Sequence, residues 1–333
     1  MHIKDICANM GLQLTGSMCF GLSDAFNFLY WLDRNSKIPF LILLGRNQDI
    51  FGTFFDKMGI DYKVNTMHSA LEMKEHIVNC INSNTLLLLY VDRYYLEYLH
   101  SKYSKSHFGN HVIAISGYRI NNDVFEVAVN DMIQDDIIWY AFDKIHMAMN
   151  SSWKPFSPEA RVYDINLNSS KLNLYFDMFP EIIVDSIENV IINMIGKDDM
   201  GVNALYALAY EMNKLLESDF SKYERALRFQ LRLISSFISE FEETHSMYRM
   251  CFSNFLGDAA KKYKLEYLYD YSLQMRVIAG KWRSVSELLT QDRLEIEDII
   301  CQISSEINEI ADSEKAFFTS LKQELSYRQN DNI

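Results

Sequence analysis

Apolar positions follow two different periods along the chain, and the change falls near residue 170. In the first half, FLILL (40–44) and LLLLYVD (86–92) are short unbroken apolar runs, the pattern of buried strands. HVIAISGY (111–118) and DVFEVAVND (123–131) alternate apolar with polar positions, and INND (120–123) between them is a turn signal, so the pair reads as an antiparallel hairpin. ARVYDI (160–165) is a further strand candidate, while 22–34, 47–58 and 67–82 carry apolar residues at helical spacing. This half is expected to be α+β around a central sheet. In the second half, 200–217, 223–241, 247–263, 265–289 and 294–311 repeat apolar residues every three or four positions. All four prolines (39, 155, 158, 180) precede residue 181, so nothing interrupts helices beyond it. The expected division is an α+β domain over 1–168 and an all-α domain over 169–333.

With 333 residues, 49% of them hydrophobic and 23% charged, the chain can bury a large core; disorder and fibrous repeats are excluded as whole-chain descriptions. A net charge of −13 argues against nonspecific binding to nucleic acid or to an anionic membrane. Nine of those net negative charges fall from residue 170 onward, as expected of solvated helix faces. No apolar run approaches the roughly 20 residues of a membrane span, and the opening MHIKDICANMGLQL lacks the pattern of a secretory signal. Five cysteines (7, 19, 80, 251, 301) are dispersed, odd in number and without a CxxC pair. Neither a disulfide framework nor a zinc site is expected, and the cytoplasm is the expected compartment.

The sharpest chemical signal is HFGNHVIAISGY (107–118), followed after the hairpin turn by Asp131. His111 opens one strand and Asp131 closes its neighbour, so a carboxylate could fix the imidazole tautomer and leave the other nitrogen as a base. The alternative is that His111 merely opens a strand and Asp131 sits in a turn. Among the thiols, Cys80 and Cys251 fall on apolar helix faces and read as core. Cys19, in GSMCFGLSDAF, is read as lying just before a helix capped by Ser23, where a helix N-terminus would favour thiolate. Cys7 lies in a short helical segment. The turn at Gly21, Leu22 and Ser23 is the candidate oxyanion site. Tyr94 either lines a cleft or edges the core. His68 and His76 are expected on an exposed helix face, with no zinc-ligand spacing among the histidines.

GLQLT (11–15), FGLSDAF (20–26), LLGR (43–46), the pair GI (59–60), VDRYYLEY (91–98), HFGNHVIAISGY (107–118), VAVND (127–131) and WKPFSP (153–158), in that order, resemble the butirosin biosynthesis protein H family. MYRMCFSNFLGDAA (247–260) and KW (281–282) resemble its helical C-terminal domain. The resemblance implies a papain-like N-terminal domain related to bacteriocin-processing cysteine peptidases. It further implies N-acyl transfer from a carrier-protein phosphopantetheine thioester to a small-molecule amine, in secondary-metabolite assembly. It assigns His111 and Asp131 to the catalytic positions and Gly21, Gly45 and Arg46 to the pocket, with His107 and Tyr118 in the same histidine motif. The family's cysteine lies about a dozen residues ahead of the glycine matching Gly11, in a His-Cys pair that this sequence does not contain. Three readings stay open: a start clipped or misassigned, a nucleophile from elsewhere with Cys19 best placed, or a protein that is no longer a thiol enzyme. In the last case it either uses direct amine attack or is a silent binding member; thioester hydrolysis or cyclisation is a further alternative. The implied partners are an acyl or peptidyl carrier protein and an amine acceptor, with no bound cofactor or metal. Carrier docking is expected on residues 93–119, where Arg93, Lys102, Lys105 and Arg119 face only Glu97. The helical half shapes the acceptor pocket or forms a homodimer.

Overall fold

The computed structural model describes residues 2–33, 40–99, 107–132, 136–154, 156–167, 178–217, 224–239 and 246–331. It has α+β character in the N-terminal half and is helical beyond. The chain divides into two compact units, one made of 1–14 and 55–175, the other of 15–54 and 176–333.

The first unit opens with helix α1 (His2–Asn9). Its centre is a six-stranded sheet in the order β3-β8-β4-β5-β6-β7, every neighbour antiparallel. The strands are β3 (Tyr62–Thr66), β4 (Thr85–Val91), β5 (His111–Asn121), β6 (Val124–Asn130), β7 (Ile138–Ala141) and β8 (Arg161–Asn166). The β5–β6 hairpin turns at Asn122 and Asp123, both at positive φ, the conformation that the primed hairpin turn requires and that Asn and Asp tolerate best after Gly. Helices α4 (Ala70–Asn82) and α5 (Phe142–Met149) cover one sheet face. Leu87, Leu89, Ile113, Ile115, Val127, Val129 and Val162 meet Met73, Ile77, Phe142 and Ile145 there, since alternate strand residues share a face. Ser69 caps α4 by accepting from the Glu72 N–H, a capping-box spacing.

The second unit contains α2 (Gly16–Leu22), the two-stranded antiparallel pair β1 (Phe26–Asp33) and β2 (Phe40–Arg46), and six helices. These are α6 (Phe179–Ile195), α7 (Gly201–Glu217), α8 (Glu224–Ser239), α9 (Arg249–Lys262), α10 (Leu268–Leu288) and α11 (Ile296–Asp331); α3 (Phe51–Met58) spans the boundary between the units. Two sequence expectations change here. Segment 22–34 is mostly strand: FNFLYWL is apolar at nearly every position, so its spacing fits either period, and pairing with FLILL decides. That pairing also takes FLILL out of the central sheet. Among the described residues, no helix is long and apolar enough to cross a membrane.

Candidate active site

One end of the six-stranded sheet gathers the polar side chains. His111 Nε2–H donates to Asp131 Oδ2 at 2.8 Å, with the carboxylate fully buried and 15% of the imidazole exposed. The Tyr98 hydroxyl donates to the same oxygen at 2.9 Å. A buried carboxylate needs such donors to remain charged. Burial, followed by the neighbouring Asp131, pushes the Tyr98 hydroxyl far above its ordinary range, so it stays protonated and keeps donating. With Nε2 committed to Asp131, Nδ1 is the nitrogen of His111 left for chemistry.

A one-residue irregularity in β5 sets this geometry. Near the turn, Tyr118 pairs with Val127 and Gly117 with Ala128; beyond Ser116, Ile115 pairs with Val129 and Ala114 with Asn130. The bulge moves the register by one, which reverses the face on which each later residue of β6 falls relative to β5. Continued to Asp131, the shifted register sets it opposite Ile113, on the same face as His111. Without the bulge it would share the face of Val112 and Ala114. Gly117 beside the irregularity is the residue type that marks such a site.

The first turn of α1 adds a member that the sequence reading did not single out. His2 Nε2–H donates to the Val112 carbonyl at 3.0 Å, and the ring is buried within electrostatic reach of His111 and Asp131. Burial is the chief cause that lowers the His2 pKa, so the ring is neutral beside His111. The only sequence signal was a histidine at the start of an amphipathic helix.

A second histidine–carboxylate pair lies at the same end of the sheet. Asp92, directly after β4, is fully buried. It accepts from His107 Nδ1–H at 2.7 Å, Ser151 Oγ–H at 2.6 Å, and the N–H groups of Phe108 and Tyr94. The His107 ring stacks on Tyr94 at 4.0 Å and meets Trp153 edge-on at 4.4 Å. Loss of water lowers the His107 pKa, against the opposing pull of Asp92. His107 and Tyr94 thus form an aromatic wall with the exposed Trp153.

Other candidates sit elsewhere. Cys19 is fully buried in the middle of α2, whose N-cap is Thr15, not Ser23; Ser23 is the C-cap and donates to the Phe20 carbonyl. The helix-terminus argument for a thiolate at Cys19 therefore fails. The proposed oxyanion turn fails too, because a helix C-terminus presents carbonyls where N–H donors are needed. Leu22 is sealed in the core. Gly21 admits the Phe255 ring, which an added Cβ would meet at 2.2 Å, and Gly45 lies against the Met247 carbonyl, 2.6 Å from such an atom. Arg46 binds the Asn47 carbonyl and the Tyr248 hydroxyl. These five residues and Cys19 belong to the second unit, His111 and Asp131 to the first. Tyr118 stacks on Phe125 against the sheet core. Cys7 is fully buried in α1. Lys102 and Lys105 lie outside the described residues. Arg119 is paired with Glu126 and lies over Trp139, and Arg93 lies over Phe108.

An antiparallel sheet that ends in a buried-carboxylate–histidine pair, in a chain that is helical beyond it, defines an α+β protein with a candidate site at the sheet end. Residues 2–129 match the family model described as butirosin biosynthesis protein H, N-terminal, and residues 143–321 match a domain of unknown function (DUF4872). The chain belongs to the butirosin biosynthesis protein H-like family. No curated protein matches it.

Proposed function

We propose that the protein is an N-acyltransferase of antibiotic or other secondary-metabolite assembly, with His111 as general base and Asp131 as the group that orients it. The observation that carries this reading is the 2.8 Å bond from His111 Nε2 to a fully buried carboxylate, which leaves Nδ1 uncommitted on a side chain that is 15% exposed. Family membership supports it, since the family is named for a protein of antibiotic biosynthesis.

The step needs no enzyme thiol, consistent with the burial of Cys7 and Cys19. An amine held against the carbonyl of a phosphopantetheine thioester attacks carbon while His111 Nδ1 removes an N–H proton. Asp131 stabilises the imidazolium. The carbon–sulfur bond then breaks, the amide is released, and the imidazolium returns its proton to the departing thiolate. The acyl group arrives on an acyl or peptidyl carrier protein. Docking through the basic stretch 93–119 would rely on Lys102 and Lys105, because Arg119 is already paired.

The test is amide formation from acyl-pantetheine thioesters and a panel of amines, followed by mass spectrometry. His111→Ala should reduce turnover on the order of a hundredfold or more; undiminished turnover in this variant overturns the assignment. The buried thiols also favour a second reading, a silent member that binds the thioester without turning it over. Saturable binding with no amide or acid product across the panel would select that reading.

A further inference from the structure

Away from the His111–Asp131 pair, three side chains of different chemistry converge between α4 and β8. His76 and Cys80 lie one turn apart on α4, and Asp164 shares the α4-facing side of β8 with Val162, two residues before it. The Nε2 atom of His76 is 2.8 Å from Asp164 Oδ1 and 3.5 Å from Cys80 Sγ. All three ligand atoms lie within 4.8 Å of one another. Cys80 Sγ also lies 3.9 Å from His76 Nδ1, but Nε2 is the nearer nitrogen and the one that meets the carboxylate, so three potential ligand atoms converge around it. The other carboxylate oxygen is held by Asn65 Nδ2 at 2.6 Å, which fixes the direction of Oδ1. Cys80 is buried, whereas His76 keeps 20% and Asp164 13% of their side-chain surface exposed, so the cluster opens to solvent on one side.

We propose that His76, Cys80 and Asp164 form a zinc site with three protein ligands and a fourth position open to water. Zinc bonds of about 2.0–2.3 Å in a tetrahedron place N, O and S ligands roughly 3.3–3.6 Å apart. The sulfur–nitrogen spacing already has that value, and the nitrogen–oxygen pair has to open by about half an ångström. Mixed thiolate, imidazole and carboxylate ligation selects zinc over magnesium or calcium. On binding, the thiol proton leaves to solvent and the imidazole proton moves from Nε2 to Nδ1. Asn65 is the positioning residue for the carboxylate. The ion would fasten α4 to β8, next to the edge strand β3. Leu87 of β4 pairs with Asp164 and Val91 with His111, so the site is about 13 Å along β4 and two strand spacings across from His111. It is a separate site, and its test does not depend on acyl transfer.

The metal-free, reduced full-length chain should bind one equivalent of Co²⁺, with a thiolate-to-cobalt charge-transfer band and visible bands of tetrahedral intensity, both erased by Zn²⁺. Cys80→Ala should remove the charge-transfer band. Asp164→Asn, which keeps a partner for Asn65, should weaken Zn²⁺ at least tenfold, and Asn65→Ala about ten- to a hundredfold. Zinc should raise the Tm of wild type and not that of Asp164→Asn, a readout that remains if Cys80→Ala does not fold. Absence of the band in wild type, its persistence in folded Cys80→Ala, or equal zinc affinity in Asp164→Asn overturns the site.

Discussion

Each unit holds a fully buried carboxylate paired with a basic side chain, and the two pairs are built for opposite ends. In the second unit, Arg249 and Glu314 are both fully buried and joined by two bonds, 2.7 Å from Nε and 2.8 Å from Nη2. Arg249 Nη1 donates to the Met247 carbonyl and Trp282 Nε1 to Glu314. The rings of Phe26, Phe28 and Trp282 close over the guanidinium. Every strong donor and acceptor is spent inside the core, so the pair can only hold helices α9 and α11 together. In the first unit, only the carboxylate of the His111–Asp131 pair is sealed, and the His111 side chain remains partly exposed. A base–carboxylate pair becomes a candidate for chemistry when the carboxylate is fixed and the base, not wholly buried, retains an unspent atom.

Breaking each pair should therefore register in a different measurement. Glu314→Ala leaves a buried guanidinium without its partner, which costs about 3–5 kcal/mol and on the order of 10 °C in Tm. Thermal unfolding checks this, and a shift under 2 °C would contradict it. Acyl transfer per folded molecule should change little, whereas His111→Ala should show the reverse pattern. Asp131→Asn should lose most turnover together with about 1.5–3 kcal/mol of stability, because the neutral amide weakens both donors on one oxygen. Turnover equal to wild type would leave Asp131 a purely structural group.

Smaller effects separate packing from function within the glycine-containing motifs. Gly21→Ala places a methyl against the fully buried Phe255 and should cost about 1–3 kcal/mol by overpacking. Because Gly21 belongs to the core, the KM for thioester should not move; a raised KM with unchanged Tm would return it to the pocket. The smallest effect concerns pH. The pKa values of His2 and His107 are lowered in the fold, so both rings bind protons more readily when the chain is unfolded. Their contribution is complete above the ordinary histidine value of 6.5 and is lost as pH falls through the lowered folded values. Tm should decline on acidification through that window, and His2→Gln, which keeps a donor for Val112, should flatten the decline.

Local pattern was enough for the elements whose partners are near in sequence. Alternation and the INND turn give the β5–β6 hairpin, apolar runs give β4, and three-four spacing gives α7 to α10. The α11 helix extends to Asp331, well past the segment 294–311 read from spacing, because its polar outer face continues without a breaker. The adjacency of His111 and Asp131 was legible because a hairpin brings its strand ends together whatever the rest of the chain does. Long-range pairing was not legible. Tertiary contacts made FNFLYWL a strand, turned Ser23 from an N-cap into a C-cap, and placed residues 15–54 in the second unit. They also brought Asp164 to His76 across 88 positions, and Asp92 to His107 and Ser151. At the site itself, sequence determined that an imidazole and a carboxylate would be neighbours. The bulge at Ser116 determined that they share a face, since side chains alternate along a strand and only a one-residue shift moves Asp131 to the side of His111.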